Sequence, residues 1–243
     1  MKLTVLGKYG PWPAAGGACS GYLVETEDVR LLLDCGCGTL GRLQQHCRLE
    51  ALDGIVLSHL HADHMGDIPA LRYALPHYVG TGLMAARLPV FLPDAPQELA
   101  NPILNDENID GTAVAGGDCI EYKGVRLSFF RTRHPAPCNA VRVECEGKAL
   151  VYSGDLNATE GFEHFARSAD LLLIDGCLLE SEWKESAPHL SSGMAAMVGK
   201  KAGARRVVLT HMRPVSDEAA ILGEARRAFP AAEIAMEGTQ YEL

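Results

Sequence analysis

Short apolar runs at strand spacing recur along the chain and alternate with stretches whose apolar residues fall three and four positions apart. Residues 4–6, 21–25 and 30–34 read as three early strands, separated by glycine-rich or acidic turns. Residues 39–47 predict a helix with Leu40, Leu43 and Cys47 on one face. Residues 54–58 read as a buried strand, and a helix is expected to begin near His64 or Gly66 and run towards Leu75. Residues 77–117 are the least regular, with a short strand at 90–92 amid abundant Pro, Gly, Asn and Asp. Strand signals return at 119–122, 125–133, 140–145 and 149–153. The last third then alternates strand (171–175), helix (191–201), strand (206–210), helix (216–229) and strand (233–236). The pattern has no short internal repeat and no dividing linker, so one domain over residues 1–243 is expected, with sheet inside and helices outside.

Composition narrows the class. At 47% hydrophobic and 22% charged residues the chain is an ordinary globular one. Its apolar runs are strand-length, well short of the ~20 residues that cross a bilayer. Residues 1–7 read as a first strand rather than a signal peptide, so no membrane partner and a cytoplasmic location are expected. Net charge is −9, from 22 basic and 31 acidic residues, with no dense Lys/Arg run, which disfavours a long nucleic acid as partner. The eight cysteines form no C-x-x-C pair and read as free, mostly buried thiols rather than disulfides or metal ligands.

One heptapeptide carries chemistry. Ser58-His59-Leu60-His61-Ala62-Asp63-His64 places three imidazoles and a carboxylate just past a predicted strand. In extended backbone alternate side chains share a face, so His59 and His61 can grip one cation together. Asp63 and His64, beyond a turn of the chain, can reach a second cation a few ångströms away. Neutral imidazole and carboxylate suit zinc, and also manganese or iron.

The heptapeptide resembles the H-x-H-x-D-H signature of the metallo-β-lactamase superfamily, matching it at every position. Further along stand His134 after a predicted strand, Asp155 in Tyr152-Ser153-Gly154-Asp155, and His211 after 207–210, in the order the family has them. The resemblance implies an α/β fold, the four-layer αββα sandwich. It implies one metal on His59, His61 and His134, a second on Asp63, His64 and His211, and Asp155 bridging both. It also implies that Asp34 orients the ligand histidines from behind, fixing their tautomers. Two divalent ions, zinc first with Mn2+ or Fe2+ as alternatives, would then lower the pKa of a bridging water and make a nucleophile near neutral pH. Asp63 counts with both the ligands and the catalytic residues.

Local sequence bears on the substrate. The segment from His134, His-Pro-Ala-Pro-Cys-Asn-Ala-Val-Arg-Val-Glu, looks like the corresponding stretch of ribonuclease Z relatives. So does Pro188-His189-Leu190-Ser191-Ser192, where ribonuclease Z has a His-Ser-Thr element; this implies that His189 serves as general acid or phosphate clamp. Two features depart from ribonuclease Z. Asp175-Gly176-Cys177-Leu178 stands where it carries His-Glu-Ala-Thr, and residues 90–117 hold Asp94, Glu98, Asp106, Glu107 and Asp110 with no Lys or Arg. An acidic insert would repel an RNA backbone. The resemblance is therefore to the short ribonuclease-Z-like hydrolases, and the expected substrate is a small phosphodiester, such as a cyclic nucleotide, cleaved by hydroxide held between the metals. A thioester or lactone hydrolase of the same fold is the alternative enzyme, and a non-catalytic metal-binding sensor the alternative of another class. Cys19 or Ser20, His77 and Tyr78 are further candidates to line the cleft, and a homodimer is compatible with the sequence.

Overall fold

Side-chain alternation in the strands sets up the layers. Leu31 and Leu33 point one way and join an apolar cluster with Val5, Tyr22, Leu127, Val141, Tyr152, Leu171 and Leu173. Leu32 points the other way, into a second cluster with Leu43, Ile68, Leu71, Leu75 and Ile103. Leu172 and Ile174 likewise turn away from Leu171 and Leu173, towards Ala195, Val198, Ile221 and Ala225. Three apolar spaces separate four layers, and each fully buried leucine contributes on the order of 2 kcal/mol.

The computed structural model describes residues 1–84 and 87–243. Ala85 and Ala86, inside the stretch read as irregular, lie outside the described residues. The elements begin with β1 (Lys2–Gly7), β2 (Gly21–Glu25), β3 (Arg30–Leu33), α1 (Thr39–Leu43), β4 (Gly54–Val56), α2 (Ala62–Met65), α3 (Ile68–Gly80), β5 (Leu88–Leu92), α4 (Gln97–Leu104) and β6 (Ile109–Ala113). There follow β7 (Cys119–Tyr122), β8 (Val125–Arg131), β9 (Asn139–Cys145), β10 (Lys148–Tyr152), α5 (Phe162–Phe165) and β11 (Leu171–Asp175). The chain closes with α6 (Ser192–Ala202), β12 (Val207–Thr210), α7 (Glu218–Ala228), β13 (Glu233–Ile234) and β14 (Gln240–Glu242). Two seven-stranded sheets result, in the orders β14-β1-β2-β3-β4-β5-β6 and β13-β12-β11-β10-β9-β8-β7. Helices α1, α3 and α4 cover the outer face of the first, and α5, α6 and α7 that of the second. The architecture is the expected αββα sandwich.

Differences from the sequence reading have local causes. The helix expected over 39–47 ends at Leu43. The helix expected between His64 and Leu75 is two, α2 and α3, and α3 runs through Pro76 to Gly80 because Ile68, Leu71 and Leu75 pin it to the sheet. Residues 97–104 form α4 despite Pro102, held by buried Ala100 and Ile103. Strand β6 lies at a sheet edge with only Ile109 buried, so it lacks the alternation that marks strands with one buried face. The two long C-terminal helices carry side-chain caps: Ser191 accepts from the Met194 N–H at 3.3 Å and Asp217 from the Ala220 N–H at 3.0 Å, each worth about 1 kcal/mol. Among the described residues no helix is long and apolar enough to cross a membrane, and all eight cysteines are free thiols.

Candidate metal centre

Strand β3 pairs in parallel with β4 in the first sheet, and β10 with β11 and β11 with β12 in the second, and the chemistry-bearing residues gather where these strands end. Past β4 the backbone of His61 is extended, and His59 and His61 bring their ring nitrogens within 3.0 Å of each other. The helix α2 then turns Asp63 and His64 inward. Asp155 follows β10 across Gly154, whose φ of 56° and closeness to Cys138 and Ser58 leave no room for a Cβ. His211 follows β12 in a left-handed conformation with φ 63°.

These seven side chains converge. The donor atoms of His59, His61, His134 and Asp155 lie within 4.8 Å of one another, and so do those of Asp63, His64 and His211. His61 Nδ1 is 3.0 Å from His59 Nε2 and 3.2 Å from His134 Nε2. His211 Nε2 is 3.0 Å and His64 Nε2 3.5 Å from Asp63 Oδ2. Asp155 reaches both groups: Oδ2 lies 3.6 Å from His59, 3.7 Å from His134 and 3.5 Å from His211, and Oδ1 lies 3.3 Å from His64.

The donor set fits divalent ions. A tetrahedral zinc with Zn–N of 2.0–2.1 Å has ligand–ligand edges of about 3.3 Å, the scale of these separations. His64 Nε2 and Asp155 Oδ1 are buried and face each other without a hydrogen-bond partner, a costly arrangement that a cation between them would relieve. Two of the far ring nitrogens are engaged in the way a ligand tautomer requires: His64 Nδ1–H donates to Asp34 Oδ2 at 2.7 Å and His134 Nδ1–H to the Pro188 carbonyl at 3.2 Å.

Asp34 is wholly buried behind this cluster. Besides His64 it accepts from Ser58 N–H at 2.7 Å, Ser58 Oγ at 2.8 Å and Tyr152 Oη at 2.6 Å. Tyr152 is a contribution that the strand pattern alone did not disclose.

Charge and burial divide the imidazoles. Burial and the neighbouring His64 hold His59 well below the usual histidine range, and burial lowers His61 and His134 too, so these three offer free lone pairs. Burial also opposes charge on His64, but Asp155 and Asp34 outweigh it and hold its pKa well above the ordinary value. Burial alone would raise Asp155; the imidazoles of His211, His64 and His59 hold it far below instead.

His189 belongs to the same constellation. Its Nδ1–H donates to Asp175 Oδ2 at 2.8 Å, and its ring lies 4.6 Å from that of His211 and 5.9 Å from that of His134. Burial works against its charge, yet Asp175 raises its pKa to about 9. Ser191 caps α6 while His189 turns inward. Asp175, a departure from ribonuclease Z in the sequence, thus supplies a carboxylate at the end of β11, one strand from Asp155. Cys177 brings a donor atom near Asp175, His189 and His211 too, but burial and Asp175 push its thiol far above the ordinary value, so it stays protonated. Cys19 and Ser20 are buried in the early loop, His77 faces solvent late in α3, and Tyr78 packs on the outer apolar cluster.

Strand-end imidazoles and carboxylates in an αββα frame define a class, the metal-dependent hydrolases of the β-lactamase superfamily. The profile of the beta-lactamase superfamily domain matches residues 29–212, and the chain belongs to that family. It is 35% identical over 214 residues to the probable metallo-hydrolase YhfI of Bacillus subtilis (strain 168), covering 87% of each chain. The crystal structure of YhfI superposes with a TM-score of 0.95 at 32% identity, covering 100% of this chain and 99% of that one. Ribonuclease Z of Methanosarcina acetivorans is 25% identical over 305 residues, covering 100% of this chain and 98% of its own length. A diphosphatase of the PhnP family shares the fold, with a TM-score of 0.77 at 18% identity over 100% of this chain and 96% of that one.

Proposed function

We propose that residues 1–243 form one phosphodiesterase domain that holds two divalent ions and hydrolyses a small phosphodiester, such as a cyclic nucleotide. The observation that carries this reading is the His189–Asp175 pair beside two donor groups linked by Asp155. His59, His61 and His134 would hold one ion, Asp63, His64 and His211 the other, and Asp155 both. Bound there, the ions would acidify a water to a nucleophile at neutral pH and polarise the phosphoryl oxygens.

The chain's own residues do the rest. Asp155 and Asp63 offset the ions' mutual repulsion, and Asp34 fixes the His64 ring. Asp175 accepts a hydrogen bond from Nδ1–H of His189, leaving Nε2–H to donate to the departing oxygen or to a phosphate oxygen. A carboxylate clamped behind an imidazole suits a phosphodiester, whose leaving alkoxide needs a proton. The names of two relatives, ribonuclease Z and the PhnP-family diphosphatase, agree with phosphoryl chemistry. Exposed Asp94, Glu98, Glu107 and Asp110 favour a small substrate over RNA. In the same region, Asp106 pairs with Arg72 at 2.7 Å.

Side-by-side assays with bis-p-nitrophenyl phosphate, a thioester and a lactone test this reading on protein reconstituted with zinc or manganese. Turnover of the phosphodiester, lost in His61→Ala without unfolding, is expected; turnover of the thioester or lactone alone would replace the reading. His189→Ala should lower kcat about 100- to 1,000-fold with metal content unchanged, and Asp175→Asn about tenfold. As a proton donor, His189 should matter more for an alkyl than for a nitrophenyl leaving group. Equal loss with both would make it a phosphate clamp, and loss of metal in His189→Ala would make it a ligand.

A further inference from the structure

The loop between β1 and β2 rises over His211. Gly10 N–H donates to the Met212 carbonyl at 3.1 Å and Met212 N–H donates to the Lys8 carbonyl at 2.8 Å, while Tyr9 bridges to both Cys19 and Met212. Gly10 is buried so closely against His211 that a Cβ there would overlap the imidazole at Nε2, the nitrogen that faces Asp63. The chain then emerges: Pro11 is exposed, and Trp12 is 47% exposed. Two Cα–Cα steps separate Trp12 from Gly10, so its Cα lies within about 7.6 Å of the Gly10 Cα.

An indole left this open beside a buried polar cluster leaves apolar surface uncovered. Pro11 and Pro13 flank Trp12 and restrict its backbone, so a ring stacking on it orders little that was free. The other tryptophan, Trp183, packs instead against the apolar cluster beneath α6.

We propose that Trp12 is the platform on which the planar base of a nucleotide substrate stacks while its phosphodiester lies at the His/Asp cluster. This inference rests on the phosphodiesterase reading and assigns the substrate class to nucleobase-bearing phosphodiesters. Base–indole stacking tolerates any base and changes affinity on the order of 10- to 100-fold.

Two measurements on the metal-loaded protein test it. In Trp183→Phe, whose indole N–H has no hydrogen-bond partner to lose, Trp12 is the remaining indole emitter. Its fluorescence should be quenched saturably by a nucleoside monophosphate but not by ribose 5-phosphate. Thymidine 5′-p-nitrophenyl phosphate and methyl p-nitrophenyl phosphate share a leaving group, and only the first carries a sugar and a base. Trp12→Ala should shrink the kcat/KM preference for the first by about 10- to 100-fold, chiefly through KM, and Trp12→Phe should restore most of it. An unchanged preference, or equal quenching by nucleotide and ribose phosphate, overturns the assignment of Trp12. Absence of turnover of both esters by the unaltered protein overturns the phosphodiesterase reading instead, and the fluorescence titration still decides whether Trp12 meets a base.

Discussion

Replacing Asp155 with Asn should lower kcat/KM by about a thousandfold or more and reduce the bound metal below two ions per chain. One carboxylate lies within 3.3–3.7 Å of His59, His64, His134 and His211. The amide keeps the shape and removes the charge. Two cations held a few ångströms apart would then lose the anion between them, in a site where burial amplifies every charge. The loss combines weaker metal binding with a poorer nucleophile, and effects of groups acting as one unit are not additive. Circular dichroism should show an intact fold, because the amide fills the space of the carboxylate. Activity within tenfold of the parent with two ions retained would contradict the bridging role.

Stripping the metals with a chelator should lower Tm by about 8–16 °C, reversibly on adding zinc or manganese. An ion present at 1,000 times its Kd stabilises the folded chain by about 4 kcal/mol, and a chain of this size shifts about 2–4 °C per kcal/mol. The metal-free site keeps several carboxylates and imidazoles close together under near-complete burial, which adds to the loss. Differential scanning calorimetry with and without chelator reads it. An unchanged Tm would mean that the cluster holds no ion of consequence to the fold.

Much of the site was legible in the chain. His59, His61, Asp63 and His64 are close in sequence and sit where a strand ends, so extended backbone followed by one helical turn suffices to bring them together. His134, Asp155 and His211 were legible through the resemblance, which looks for a ligand after each of three strands in that order. Asp175 was harder: it opens the stretch that departs from the His-Glu-Ala-Thr of the resembling family, and only the fold brings its carboxylate to His189 across 14 residues. Gly10 and Trp12 gave no signal at all, since their closeness to His211 depends on pairing between segments some 200 residues apart. Among the elements, α4 and β6 escaped because Pro102 and the acidic edge positions mimic a loop. The closing strand β14 escaped because three residues carry no period, and its pairing with β1 depends on tertiary contact.

Metal analysis of the reconstituted, dialysed protein tests the dinuclear centre most directly, with His59→Ala and His211→Ala beside it. Two divalent ions per chain are expected in the parent, and fewer in each variant. One ion or none in the parent would contradict a centre built from these seven side chains.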